Sequence, residues 1–434
     1  MYNTSKGYKE KILEDSTQHE LNIYIDGNKI EPNHIIDFSS KSELFNNNEF
    51  CLGCTPEKDI EFEIDKRDLP EAYEKVYVET GVNDEIIPIG HFTIQSIEDD
   101  EFKVKIKATD YMKKFEDTKY DGSNLIYPKT MLEVLKDICI KVGVELGSTS
   151  FLNSEKQIAV YDNTVTARTY LGYIAEQAGG FAVIGRDGKL YIKNFGKDTI
   201  DFDINLFGDF TWGDKFKVSK ISYEDGIQNY KFGDEAQATV FIDQNNMYIV
   251  DSEQVENIYN QIKDFEAYTF EGETIIDPAY DIGDILVIDG KKVLFQGELE
   301  YAGKFKANIK SKIQAKTEQE SMQTKQSNSN KIKRVQSEIN QIDGKITQLV
   351  QETTEHEEKL TKVEQDVDGI KQNVKNVANY KRDAESVSEL HITDAGKYEI
   401  LKLEIKGNKE FVSELYPRTN LFPRAGLQPN QKGG

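Results

Sequence analysis

The sequence predicts an α+β protein, mainly antiparallel β, followed by a long parallel trimeric coiled coil and a small β-rich C-terminal segment. Three observations predict this. Short apolar/polar alternations broken by Gly and Asp turns fill residues 1 to about 318. An unbroken heptad pattern runs from Ile332 to Val377. Short strand-like runs and Pro turns return after residue 380. These changes of pattern divide the chain into a β domain at 1–115, a helix-containing subdomain at 116–200 and a second β domain at 201–318. A coiled coil at 319–379 and a distal strand-and-turn segment at 380–434 follow.

The strands come first. Leu21–Ile25 alternates and meets the turn Asp26-Gly27-Asn28, the signature of a hairpin. Ile60–Ile64 alternates with one apolar and one charged face. Phe92–Ile97 and Phe102–Ile106 flank a polar turn and predict a second hairpin. Half-buried strands of this kind belong to antiparallel sheets.

Helices interrupt the strands. Met131, Leu132, Leu135, Ile138, Cys139 and Val142 recur at helical spacing, and Gly143 ends the run. A second helix starts with Thr164 or Thr166 as N-cap, carries Tyr170, Leu171, Ile174 and Ala178, and stops at Gly179-Gly180. It feeds a hairpin formed by Phe181–Ile184, Gly185-Arg186-Asp187-Gly188 and Lys189–Lys193. Gln254–Lys263 predicts a short helix. Gly283–Gly290 and Lys291–Phe295 predict an Asp-Gly hairpin.

The heptads are strict. One seam holds Ile332, Ile339, Ile346, Thr353, Leu360, Val367 and Val374. The other holds Val335, Ile342, Leu349, His356, Val363, Ile370 and Val377. A lone helix drifts off a 3.5-residue repeat, so this pattern needs supercoiled partners. Ile and Val dominate both seams, and Leu is not concentrated at the second. That favours three strands over two. Thr353 and His356 interrupt the apolar seam. A layer that fixes register is favoured over an ion-binding or pH-sensitive layer. Flanking charges do not settle orientation: Lys359 with Glu364 attracts, whereas Glu352 with Glu357 repels. Parallel packing is expected because one coil on a multidomain chain closes most simply under three-fold symmetry. The rod would be about 70 Å long.

Composition narrows the function. The formal net charge is −23, with no local basic patch, which disfavours nucleic-acid binding and docking on an anionic membrane. No stretch approaches a secretory signal or a membrane span, so synthesis in the cytoplasm and no membrane insertion are expected. The three cysteines are too few for a disulfide scaffold. Cys51-Leu-Gly-Cys54 has no histidine at ligand spacing and is expected to be a turn between strands, with redox or metal use the minority readings.

No catalytic motif emerges. There is no P-loop, no GxSxG and no HExxH, because His356-Glu357-Glu358 lacks a second histidine. The 77 acidic residues create carboxylate pairs by chance, and Glu98-Asp99-Asp100-Glu101 reads as a solvated turn. Gly185–Gly188 reads as a tight turn rather than an adhesion motif. A non-enzyme with no cofactor and no metal site is expected, and the fourteen seam residues are its interface.

Several segments resemble the tail hub proteins of phages and prophages of Gram-positive bacteria. They are Tyr8–Ile12 with Glu20–Gly27, Ile89–Ile94 with Val104–Met112, and Tyr127-Pro128 leading to Gly143-Val144. The most specific is Thr166–Glu176 with Gly180–Leu190. Asp277-Pro278 with Asp281–Asp284 follows, then Leu415–Pro417 and Asn420–Pro423. The resemblance is good over residues 1 to about 315 and weak beyond the coil. It implies a homotrimeric hub with two barrel-like β domains, capping the host-facing end of the tail tube in the virion. Implied partners are the tail tube, the tape-measure protein, distal tail or baseplate proteins, and a fibre or receptor-binding protein at the C-terminus. A negative lumen would repel DNA from its walls. Many relatives carry a peptidase or lysozyme domain after the hub, where this chain has the coil and about 55 residues. The competing readings are a peptidoglycan hydrolase and an adhesive spike on such an assembly.

Overall fold

The computed structural model describes residues 1–315 except 13, 15, 16, 18, 46, 47, 71, 72, 83, 84, 121, 123, 124, 160–164, 197, 198, 226 and 227, together with two strands near the C-terminus. The chain divides into two compact units, Met1–Ile342 and Asp343–Gly434.

The first unit opens with α1 (Lys6–Lys11), capped by the Ser5 hydroxyl, which accepts from the Tyr8 N–H. Strands β1 (Glu20–Ile25) and β2 (Asn28–Lys29) join through Asp26 and Gly27, both at positive φ (+46° and +82°). That is the backbone of a tight hairpin turn, and Asp-Gly supplies it at least steric cost. Then come β3 (Ile35–Ser42), β4 (Lys58–Asp65), β5 (Lys75–Val82), β6 (Glu85–Asp99) and β7 (Lys103–Asp110). The middle region holds α2 (Met112–Asp117), β8 (Lys129–Thr130), α3 (Met131–Val142), β9 (Gln157–Ile158) and α4 (Ala167–Gln177). The hairpin β10 (Gly180–Ile184) and β11 (Leu190–Asn194) follows. The chain continues through β12 (Thr199–Phe202), β13 (Phe207–Glu224), β14 (Asn229–Gly233), β15 (Ala238–Phe241) and α5 (Ser252–Ile262). It ends in β16 (Glu266–Ile275), β17 (Ile285–Ile288), β18 (Lys291–Leu294), β19 (Leu299–Tyr301) and β20 (Phe305–Ser311). In the second unit the described residues form one antiparallel pair, β21 (Glu389–Ile392) with β22 (Tyr398–Lys402).

The fold is mostly antiparallel β with few helices. One sheet runs in the order β14-β13-β16-β20-β19-β3-β4-β7-β6-β5-β1-β2, with β15 alongside β13. Strand β19 is the joint: it pairs with β20 on one side and β3 on the other, setting Tyr301 opposite both Phe305 and Phe38. Residues 260 positions apart thus share one sheet. Among the described residues the path stays open, so hydrogen bonding does not close it into a barrel. Two pairings, β13 with β15 and β12 with β17, are parallel. Both connect strands separated by longer stretches of chain, as parallel pairs require.

The sequence patterns show why these strands bury one face. In β4, Ile60, Phe62 and Ile64 point inward. In the neighbouring β7, Val104, Ile106 and Ala108 do the same. The outward positions form a charge ladder: Lys103–Glu63 at 2.9 Å, Lys105–Glu61 at 2.5 Å and Lys107–Glu98 at 3.5 Å. Strand β1 departs from its alternating pattern, because Asn22 is buried beside Glu79 as well as Leu21, Ile23 and Ile25.

The first core draws on β1 and β3–β7 together with β12, β13 and β16–β20. A second core gathers α5, the later half of β13 and the Leu44–Leu52 segment. The third is helical, built from α2, α3 and α4 with β10 and β11. Helix α3 has a full capping box, Thr130 with Glu133, and ends at Gly143 (φ +75°). Its buried face includes Val134, with Leu132 only half-buried, so it is rotated from the face expected. Its neighbours in the helical core, α4 above all, decide which stripe is covered. Helix α4 starts at Thr166, one of the two caps expected, and α5 is capped by Asp251 with Gln254.

Phe270 is fully buried in the first core, with Phe207, Phe210 and Trp212 rings 4.7–6.3 Å from one another or from it. Phe270→Ala should cost about 3–5 kcal/mol. Phe102, 76% exposed at the β6–β7 turn, should cost under about 0.5 kcal/mol when replaced by Ala. Equilibrium denaturation of the two variants checks the contrast.

Candidate functional site

The fourteen seam residues, Ile332 to Val377, lie outside the described residues. Of the other sequence candidates, Gly185–Gly188 and Cys51/Cys54 are described, and both sit at the junction of the cores.

The Gly185–Gly188 turn joins β10 to β11 and points its arginine inward. Arg186 is only 10% exposed, and its Nε donates to Asp281 Oδ1 at 2.8 Å. One terminal nitrogen donates to the carbonyl of Pro88 at 2.7 Å. The other reaches the carbonyls of Pro278 (2.8 Å) and Tyr280 (3.0 Å). A planar guanidinium with five donors suits this mix of one carboxylate and three carbonyls, whereas an ammonium would not span it. Arg186 is therefore occupied in holding β6 and the 278–281 loop to the β10–β11 turn, and is not presented to solvent as an adhesion motif. Asp187 shapes the turn, accepting from Lys189 N–H and the Tyr191 hydroxyl.

Arg186 lines a cavity of about 490 Å³ together with Lys58, Asp110, Tyr191, Lys193 and Asp281. Lys193 Nζ is 3.4 Å from Asp281 Oδ2. Burial alone would raise the Asp281 carboxyl, but Arg186 and Lys193 bring it below the usual carboxylate range. Lys58 donates to the Ile89 carbonyl at 3.3 Å. Burial and the repulsion of Arg186 push its ammonium down to about 8. Asp110 accepts from the backbone N–H groups of Lys58 and Met112. Burial still pushes it up to about 7. Lys58, Arg186, Lys193 and the Met1 amino group meet Asp110, Asp187 and Asp281 around the cavity, so the two signs nearly balance and point to no charged ligand.

A second buried carboxylate lies on α4. Glu176 accepts from Asp243 N–H at 2.8 Å and Asn246 Nδ2 at 2.7 Å. Burial, then the charge of Asp243, pushes it up to about 8. No local pattern marks Lys58, Asp110, Asp281 or Glu176, because each sits in an ordinary strand, loop or helix run.

None of these groups forms a catalytic constellation. Among the described residues no group of three His, Cys, Asp or Glu could hold a metal ion. The Glu98–Glu101 run is exposed at the β6–β7 turn, and Asp99 pairs with Lys66 at 2.6 Å. Among the described residues no helix is long and apolar enough to cross a membrane.

Two predictions follow from the buried charges. Arg186→Ala removes the donor to Asp281 Oδ1 and to three carbonyls and should cost about 3–5 kcal/mol in denaturant melts; Arg186→Lys should recover only part. Glu176 tests the electrostatics by pH. Its folded value, about 8, lies above its ordinary 4.5. The stability owed to the neutral acid is complete below about pH 4.5 and is lost as pH rises through about 8. Glu176→Gln removes this dependence. Its stability relative to wild type should therefore improve by about 1–3 kcal/mol between pH 5 and pH 8, read from melts at both values.

No family model matches the chain, and no curated protein matches it. Solved structures do. The 43 kDa tail protein of prophage MuSo2 from Shewanella oneidensis aligns at 14% identity and a TM-score of 0.44, over 68% of this chain and 100% of that one. The tail protein from Neisseria meningitidis MC58 aligns at 11% identity and a TM-score of 0.42, over 67% of this chain and 94% of that one.

Proposed function

We propose that the chain is a non-enzymatic structural subunit of a phage or prophage tail. It would act as a hub at the tail tip, trimerise through the heptads from Ile332 to Val377, and project the last 55 or so residues toward the host. The observation that carries this is the unbroken seven-heptad seam rich in Ile and Val, which has no use in a lone chain. The β-rich body before it supports the reading, because its ionisable groups Arg186, Asp281, Lys58, Asp110 and Glu176 hold segments together. The order of the hub-like segments along the sequence supports the tail-tip placement. On this reading the partners are two further copies of the chain, the tail tube, the tape-measure protein and distal tail or baseplate proteins. The protein would reside in the virion.

Light scattering on the purified full chain tests the assembly. It should show one species of three times the 49.6 kDa chain mass. The double change Ile342→Asp and Ile346→Asp should weaken it, giving smaller species on dilution. A single-chain or two-chain mass for wild type at micromolar concentration would sink the trimer. Antibody labelling of tails by electron microscopy tests the placement: signal is expected at the host-facing end, and signal along the shaft would contradict it.

A further inference from the structure

Cys51 and Cys54 have no part in the charged junction. They lie on a strap, the chain between β3 and β4, that runs through the second core. Phe50 anchors this strap among Phe195, Phe216 and Phe265, with ring centroids 4.9–5.1 Å away. Its backbone N–H donates to the Gln314 carbonyl at 3.0 Å. The turn itself is held on three sides. Gly53 N–H donates to the Gly180 carbonyl at 2.8 Å, and Ala182 N–H donates to the Cys54 carbonyl at 2.9 Å. Arg168 on α4 donates to the Thr55 carbonyl at 2.7 Å and to its hydroxyl at 3.1 Å.

Gly53 shows how close the turn lies to α4. Its φ is +74°, and a Cβ there would stand 2.5 Å from the Gly172 carbonyl oxygen. Only glycine allows both the left-handed backbone and this approach. The tight turn brings the two sulfur atoms to 2.7 Å, and Cys54 Sγ also contacts the Cys51 carbonyl at 3.2 Å. Both cysteines are half-buried, whereas Cys139 is buried in the helical core. None of the three is in a disulfide. The pair has no third metal-binding side chain among the described residues.

We propose that Cys51 and Cys54 are a redox-closable pair that forms an intramolecular disulfide and pins the strap against β10 and α4. The co-reactant is a low-molecular-weight disulfide. One cysteine, as thiolate, attacks it, forms a mixed disulfide and releases one small thiol. The second cysteine then attacks the mixed disulfide at the first cysteine's sulfur and releases the other small thiol. Two protein S–H bonds and one small-molecule S–S bond are lost; one protein S–S bond and two small S–H bonds are gained. The hydrogen bond to Cys51, burial, and the charges of Cys51 and of Glu176 on α4 push the Cys54 thiol up. Closure should therefore be slow at neutral pH and faster in mild alkali, where more thiolate is present. In a reducing cytoplasm the pair stays open, and outside the cell it closes.

The test uses the full chain, incubated with either oxidised glutathione or a dithiol reductant. Each sample is unfolded and labelled with a maleimide, and its intact mass is measured. Reduced protein should take up three labels and oxidised protein one, at Cys139. Cys139→Ser should take up two and none. A non-reducing gel should show no linked chains. Cys51→Ser and Cys54→Ser should fail to lose a pair of labelling sites. Three labels on the oxidised wild type, a persistent glutathione adduct, or linked chains would overturn the proposal. So would loss of two sites in either serine variant. Thermal melts test the pinning: the oxidised wild type should melt about 2–4 °C higher than the reduced form. No such difference is expected for Cys51→Ser, and equal midpoints in wild type would refute the pin.

Discussion

Arg186 is the interaction on which the arrangement of the body depends. Its guanidinium meets Asp281 and the carbonyls of Pro88, Pro278 and Tyr280. These groups belong to β6 and to the loop before β17, and the arginine itself belongs to the helical insertion. The insertion interrupts a sheet whose two halves lie on either side of it in sequence. The sheet joins its halves at β19 and β3. Arg186 ties the insertion back to both halves at once. A buried guanidinium is costly to desolvate, and this one is tolerated because each of its nitrogens finds an oxygen. Its value is therefore geometric: it fixes three segments in one arrangement, and few other side chains could replace it.

Much of the local structure was legible in the sequence. Asp26-Gly27 and Asp289-Gly290 marked hairpins because positive φ is needed at both turn positions, and both pairs adopt it. Thr166 and Gly143 marked helix ends through capping chemistry that depends on neighbours a few residues away. What was not legible is long-range. Nothing near Leu299 says that it will face Ser40. The 18-residue β13 carries an irregular burial pattern because it serves two cores, so it shows no single period. The parallel pairings of β12 with β17 and of β15 with β13 are long-range in the same way and leave no local mark.

The candidate sites divide in the same way. Gly185–Gly188 was correctly readable as a tight turn, since two glycines flanking a polar pair suit one. The inward course of Arg186 was not, because its partners are about 95 residues away. Glu176 looked like any polar residue on a helix until Asp243 and Asn246 were placed around it. The Cys51–Cys54 pair was visible as a motif. The strap, the close approach of Gly53 to α4 and the clamp by Arg168 needed the fold.

If Arg186 ties the insertion to both halves of the sheet, the β halves and the insertion open as one cooperative body. Hydrogen exchange of the full chain, read by mass spectrometry under native conditions, tests this most directly. Peptides from β3, β19, α4 and the 277–284 loop should open together, with the same free energy and the same dependence on denaturant. Separate opening of residues 112–194 at a much lower free energy than the sheet would contradict it.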